Sequence, residues 1–237
     1  MTALVTGGTR GIGLAITDAL RQQGARTLVL SRSTANRERW LYKADIGNRM
    51  DLERVRQELV AEGIVPRILV ANAGTIVRMP FVEMDDSDLR NLVTTNLYGT
   101  LTTLRVFAPL MLQRPGARFI IVSSIAAIHG LNLRVVYSAT KAALAGLVRS
   151  LAIEWGPQAA TVNAVAPGIV RTSLTESYME RHPERADAAR NNTPLGRLAE
   201  PADIADVVAA MASDAFRFVT GQLIAVDGGF SAGSAWW

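Results

Sequence analysis

The sequence predicts one α/β domain, a doubly wound parallel sheet covered by helices on both faces. Three observations carry that expectation. Short apolar runs alternate with helix-period segments along the whole chain, the pattern of repeated strand–helix–strand units. A glycine-rich turn separates the first strand from the first helix. No internal repeat, low-complexity tract or linker divides the 237 residues, a length that a single core serves.

Taken in order, Ala3–Thr6 reads as the first strand and Gly11–Gln23 as the first helix. Arg26–Ser31, entered from Gly24, is the second strand, and a third falls within Trp40–Ala44. Met50–Glu62 sets Leu52, Val55, Leu59 and Val60 at helical spacing. Ile68–Ala71 is the fourth strand. Asp86–Gln113 reads as one long helix entered from the capping run Asp85-Asp86-Ser87. Phe119–Ser123 is the fifth strand, Val136–Trp155 the next helix, and Thr161–Val165 the sixth strand, closed by Pro167-Gly168. Pro201–Ala212 is a helix whose first position tolerates proline, because the N–H there has no intrahelical partner. Leu223–Val226 is the last strand. The segment 172–200 is polar, charged and broken by Pro183 and Pro194, and is expected to be a mobile substrate loop.

Composition excludes several function classes. Apolar residues make up 49% and charged residues 19%, which suits a large core and leaves no disordered tail. No apolar run approaches the roughly 18 residues of a membrane span. The chain reaches its glycine turn too soon to hold a basic region and a cleavage site, which argues against secretion. It has no cysteine, which excludes disulfides and thiolate ligands and fits a cytoplasmic protein. With only His129 and His182, no histidine-rich metal site is expected. The net charge of +4 comes from scattered arginines without a basic tract, so no nucleic-acid partner is expected.

The turn Thr6-Gly7-Gly8-Thr9-Arg10-Gly11-Ile12-Gly13 follows a strand and opens a helix, the arrangement of a Rossmann-type dinucleotide site. Gly7 permits a tight turn, Gly11 lets the backbone approach a pyrophosphate, and Gly13 lets the helix pack on the strand. The helix start supplies free N–H groups and a positive dipole end. An NAD-binding chain usually ends its second strand near a carboxylate that holds the ribose. Here Ser31 occupies that position, Arg32 follows, and Arg10 lies in the glycine turn. Two arginines and no carboxylate favour NADP(H) over NAD(H).

Tyr137 and Lys141 are four residues apart, which puts them on one helix face, and Ser124 lies thirteen residues before Tyr137. A free phenol, with a pKa of about 10, is a poor proton donor or acceptor at neutral pH. A fixed ammonium nearby favours the phenolate. A serine hydroxyl at the same point can bond a carbonyl or alkoxide oxygen. Alone, the Tyr/Lys spacing also fits an ordinary helix surface.

These motifs in this order resemble the short-chain dehydrogenase/reductase family. They include the glycine turn, Asp45 after the third strand, Asn72-Ala73-Gly74 after the fourth and Asn96 in the long helix. Ser124, Tyr137, Lys141 and Pro167-Gly168-x-x-x-Thr172 complete the set. The resemblance covers Thr2 to Gly229 and is nearest the branch of 3-oxoacyl-acyl-carrier-protein reductases. It implies that Tyr137 is the general acid and base, and that Lys141 lowers the tyrosine pKa and binds the nicotinamide ribose. It implies further that Ser124, not Ser123, orients the substrate oxygen, and that Asn96 holds a relay water. Asp45 and Ile46 would flank the adenine. Asn72, Ala73 and Gly74 would line the cofactor cleft with Pro167 and Gly168. Thr172 and the backbone near Ile169 and Val170 would hold the carboxamide.

The resemblance leaves some points open. Carrier-protein reductases commonly have a basic residue before strand six, where this chain has Gln158, which argues against an acyl carrier protein as partner. His129 and Arg134 lie where relatives line the substrate mouth, and Arg134 is placed to meet an anionic group or to serve structure. Tyr178 and Met179 fall in the polar segment and are expected to form an apolar lid. The leading expectation is an NADP(H)-dependent reductase of a ketone or secondary alcohol, of the carbonyl reductase or 3-oxoacyl-thioester reductase type. The alternatives are an NAD(H)-dependent alcohol dehydrogenase and a non-catalytic cofactor sensor. Related enzymes pair their long helices across two-fold axes, so a homotetramer is expected, with the Phe230–Trp237 tail, including Trp236 and Trp237, at a subunit contact.

Overall fold

Period-two alternation along the strands builds the architecture. In β1 (Thr2–Thr6), Leu4 enters one apolar cluster while Ala3 and Val5 enter another, because successive strand side chains point to opposite faces. The computed structural model describes residues 1–33 and 40–233. The other strands are β2 (Arg26–Ser31), β3 (Leu41–Lys43), β4 (Ile68–Ala71), β5 (Arg118–Val122), β6 (Thr161–Pro167) and β7 (Leu223–Val226). All pair in parallel in the order β3-β2-β1-β4-β5-β6-β7. Tight register, such as Leu4 opposite Leu28 and Leu69, stacks the apolar rows of neighbouring strands.

Helices cover both faces. On one face, α2 (Arg49–Ala61), α4 (Gly99–Met111) and α5 (Val135–Trp155) bury Leu52, Val55, Phe107, Leu144 and Val148 against Leu4, Leu28 and Phe119. On the other, α1 (Gly11–Gln22) and α8 (Pro201–Ala212) bury Ile16, Leu20, Ile204 and Val208 against Val5, Val70 and Val165. Among the described residues, no helix is long and apolar enough to cross a membrane.

The structure differs from the sequence reading in two places. The single helix expected over Asp86–Gln113 is two α-helices, α3 (Asp86–Val93) and α4, joined by a π-helical stretch at Thr94–Tyr98. Asp85 caps the start as expected, its Oδ1 accepting from the N–H groups of Ser87 and Asp88, each at 2.8 Å. The wide π turn carries Asn96, which is fully buried and bonded to Thr75. Such turns recur at functional positions. Gly99 follows because a Cβ there would lie 2.7 Å from Ile46 Cδ1.

The second difference is the segment 172–200, which forms α6 (Ser173–Arg181) and α7 (Pro183–Asn191). Thr172 and Thr175 make a capping box at the start of α6. Pro183, which looks like a breaker in the sequence, opens α7 at a position where its missing N–H is harmless. The tail residues 234–237, with Trp236 and Trp237, lie outside the described residues.

Candidate active site

Strand order reverses between β1 and β4, so the chain leaves these neighbours in opposite directions and a crevice opens above their carboxyl ends. Side chains clamp its floor. Thr6 Oγ1 accepts from the N–H groups of Asn72 and Ala73, both at 3.0 Å. Asn72 Nδ2 donates back to Thr6 O at 3.0 Å and Gly7 O at 3.2 Å. Gly7 and Gly11 have φ of +68° and +52°, and a Cβ on Gly13 would sit 2.2 Å from Gly7 O. The turn is therefore a cradle that only glycine fits at these points. Arg10 precedes α1 without capping it by its side chain, and no acidic residue occupies the first turn. The leading amides around Ile12 thus present donors and a positive dipole end, the chemistry that a pyrophosphate needs.

At the end of β2, Thr9 Oγ1 and Ser31 Oγ lie 3.1 Å apart, and Ser33 N donates to Ser31 Oγ at 3.3 Å. Arg10 and Arg32 are exposed there, and no carboxylate accompanies them over Ser31–Ser33. Asp45 lies beyond β3, its Oδ1 accepting from Gly47 N at 2.9 Å. Ile46 is buried against Gly99, so only its backbone is free to meet a ligand.

The second half of the site stands on β5 and α5. Ser124 follows β5 directly, its Oγ accepts from Ala126 N at 3.1 Å, and it lines the same cavity as Tyr137. Ser123 turns away and donates to Lys141 O at 3.0 Å. Lys141 is buried, and its Nζ donates to Val122 O at 2.9 Å and lies 5.8 Å from the Tyr137 ring centre. Burial pushes its ammonium down to about 8. Burial pushes the Tyr137 phenol up, while Ser124 and the charges of Arg134 and Arg78 pull it back. Arg134 and Arg78 thus add to the positive charge around the phenol that the sequence expected from Lys141. Asn96 Oδ1 accepts from Thr75 N at 2.8 Å, and its Nδ2 donates to Thr75 O at 2.9 Å. That amide holds the loop after β4 against the cleft. Gly74 keeps the gap open, since a Cβ there would lie 3.1 Å from Asn96 Oδ1 and 3.6 Å from Lys141 Nζ.

One cavity of ≈ 470 Å³ joins these parts. Asn72, Gly74, Ser124, Tyr137, Lys141, Pro167, Gly168, Val170 and Thr172 line it together, as does Ile12 from α1. Tyr178 and Met179 of α6 form part of the far wall. Asp45 and Ile46 do not reach it, and His129 is exposed, edge-on to Phe230 at 6.1 Å. The sequence reading missed Arg78 and Arg185, which also line the cavity. Arg78 was recoverable as the one charge in the short loop after Asn72-Ala73-Gly74, whereas Arg185 reads as one of many charges on a polar helix. Among the described residues, no group of three His, Asp or Glu side chains is placed to hold a metal.

A glycine cradle at the switch point and a Tyr–Lys–Ser set in the same cavity define a nicotinamide-dependent oxidoreductase. Comparison with known proteins agrees. Residues 7–231 match the family model described as enoyl-(acyl carrier protein) reductase. A tropinone reductase homolog of Arabidopsis thaliana is 36% identical over 243 residues, covering 97% of this chain and 92% of the relative. The 3-oxoacyl-[acyl-carrier-protein] reductase of Thermotoga maritima is 32% identical, covering 95% and 96%. A putative NAD(P)-dependent gluconate 5-dehydrogenase from Beutenbergia cavernae, solved with NADP at low occupancy, superposes with a TM-score of 0.90 at 34% identity, covering 98% and 97%. The chain belongs to the short-chain dehydrogenase/reductase family and is an NAD(P)-dependent oxidoreductase.

The buried lysine yields a stability test. Its pKa of about 8 when folded lies below the value of 10.5 for the free side chain. Between these values the unfolded chain binds more protons, so stability rises with pH. From pH 8 to about 9.5, before tyrosines titrate, the rise is about 1 to 2 kcal/mol. Denaturant unfolding should show it in the unmodified chain and not in Lys141→Met. Equal slopes in the two proteins would contradict the assignment.

Proposed function

We propose that this chain is an NADP(H)-dependent carbonyl reductase and secondary-alcohol dehydrogenase, with Tyr137 as its general acid and base. The observation that carries the reading is the convergence of Ser124, Tyr137 and Lys141 on one cavity that the cradle helix also lines through Ile12. In this reading the amides at Gly11, Ile12 and Gly13 hold the pyrophosphate, with Gly7 and Thr9 shaping the turn. Arg10 and Arg32, with Ser31, hold a 2′-phosphate. Asp45 and the backbone of Ile46 bound the adenine. Asn72, Ala73 and Gly74 line the middle of the cleft, and Pro167, Gly168, Val170 and Thr172 bound the carboxamide end. The bound nicotinamide supplies or accepts the hydride.

The side chains manage the proton. Ser124 Oγ bonds the substrate oxygen and fixes it beside the Tyr137 hydroxyl. Burial keeps the phenol protonated at neutral pH, which suits it to donate to the oxygen as charge develops there. Arg134 and Arg78 favour the phenolate that remains. Lys141, with a pKa of about 8, is poised near neutrality to return a proton to the tyrosine. Asn96 is a positioning residue, because its amide is spent on Thr75. NADP(H) over NAD(H) is supported by two arginines and no carboxylate at Ser31–Ser33. NADP bound in the Beutenbergia cavernae relative is in keeping with it.

Assembly follows the same line of reasoning. Ile153 on α5 is 81% exposed and Phe218 before β7 is 99% exposed. Tyr98 and Leu101, at the π turn and on α4, are also exposed. Apolar side chains set on two long helices and beside an edge strand support a homotetramer with two kinds of two-fold contact.

Three outcomes are expected. Tyr137→Phe should lower turnover of ketones by at least about 100-fold while leaving NADPH affinity nearly unchanged, read by steady-state kinetics and fluorescence titration. Retention of more than a tenth of the activity, on the order of what a general acid cannot explain, would remove Tyr137 from the role. The double change Arg32→Asp with Arg10→Ala should weaken NADPH by about 2 kcal/mol or more and spare NADH. A chain that prefers NADH before any substitution would refute this cofactor choice. Light scattering at micromolar concentration should give four times the chain mass, and a monomer would rule out the assembly.

A further inference from the structure

We infer that the substrate is a small ketone or secondary alcohol bearing a carboxylate, which Arg78, Arg134 and Arg185 hold inside the cavity. The inference rests on the oxidoreductase reading of the same cleft. The three arginines come from separate elements: the loop after β4, the residue before α5, and α7. All three line the cavity with Tyr137, and among the described residues no Asp or Glu lines it.

None of these guanidinium groups is neutralised within the cavity. Among the described residues Arg78 Nε is buried without a hydrogen-bond partner, and its guanidinium carbon lies 4.4 Å from the Tyr178 ring centre. Arg134 is half-buried and makes one long bond, from Nη1 to Asn132 O at 3.4 Å. Burial, then the charges of Arg78 and Arg185, push its pKa down. The carboxylate nearest Arg185 is Glu184, with Nε and Oε1 4.0 Å apart and both side chains exposed.

Guanidinium stays charged at any physiological pH, so these groups cannot relieve their repulsion by losing protons. A solvated surface cluster would separate and hydrate. Here Arg78 is stacked on Tyr178 with its Nε closed to water, and Arg134 is held three residues before the reacting phenol. An entering anion supplies the missing partner. Its planar carboxylate matches the guanidinium fork, and the buried setting strengthens the attraction. The cofactor phosphates have other sites, at α1 and at Arg10 with Arg32, so they leave this cluster free. With the carboxylate on the arginines and the carbonyl on Ser124 and Tyr137, the reacting carbon is fixed at two points. Tyr178 and Met179 then cover the linking carbons.

The test uses the full chain with NADPH and compares 4-oxopentanoate and 5-oxohexanoate with their methyl esters. The acids should be favoured at least roughly tenfold in kcat/KM, mainly through KM. Arg134→Gln and Arg78→Gln should each bring the acid-to-ester ratio toward one, whereas a purely structural role would lower both substrates alike. Esters used as well as the acids by the unmodified chain, or a ratio unchanged in both variants, would overturn the inference. Calorimetric binding of glutarate, which has no carbonyl to reduce, keeps the two readings apart. Glutarate that binds the unmodified chain, and binds Arg134→Gln more weakly, supports the anion site even if no ketone reacts, and that silence would count against the proposed reaction alone. Failure of glutarate to bind at millimolar concentration would remove the anion site and leave the oxidoreductase reading intact.

Discussion

The clamp between Thr6 and Asn72 is the constraint on which the site depends. Two neighbouring parallel strands must send their chains in opposite directions, and the loops leaving them would otherwise be free to splay. Thr6 Oγ1 takes two amides from the β4 loop, and Asn72 Nδ2 returns two bonds to the β1 turn. These four bonds fix the width of the crevice. They also explain the glycines, since Gly7 and Gly13 must let the turn, the helix and the Asn72 amide approach one another. The uncapped start of α1 is a consequence: its amides face the crevice and no side chain of the turn competes for them.

A second set of constraints is electrostatic. Lys141 is buried with one carbonyl partner, and that burial brings its pKa to about 8. An isolated buried charge is costly, so its retention beside a tyrosine points to use and not to stability. The Tyr137 phenol is pushed upward by burial but is drawn back by Ser124 and two arginines. The phenol, the arginines and the buried ammonium therefore have distinct environments around one cavity. Asn96 contributes by geometry, since the π turn swings its amide onto Thr75 and steadies the wall beside Lys141.

Much of the fold was legible because the sheet is buried on both faces and its strands read as unbroken apolar runs. Arg26–Ser31, Ile68–Ala71, Pro201–Ala212 and Leu223–Val226 have the same bounds in sequence and structure. The π stretch was not legible, because Thr94–Tyr98 continues the helix on either side of it and carries no proline or glycine of its own to mark a change of turn. The helices of 173–191 were hidden by Pro183, which marks a start as readily as a break. In the site, the linear motifs pointed to Ser124, Tyr137 and Lys141, which share one cavity. The arginines around them carry no linear signature. Arg78, Arg134 and Arg185 are far apart in sequence and meet only because the β4 loop, α5 and α7 end at one rim.

The most direct test of the central claim, that the clamped crevice is a dinucleotide site leading to Tyr137, is a crystal structure of the chain grown with NADPH. The expected result has the pyrophosphate on the leading amides of α1, the 2′-phosphate beside Arg10 and Arg32, and the nicotinamide in the cavity with Tyr137 and Lys141. A cofactor bound away from the Thr6–Asn72 clamp, or in the crevice with its nicotinamide far from Tyr137, would contradict it.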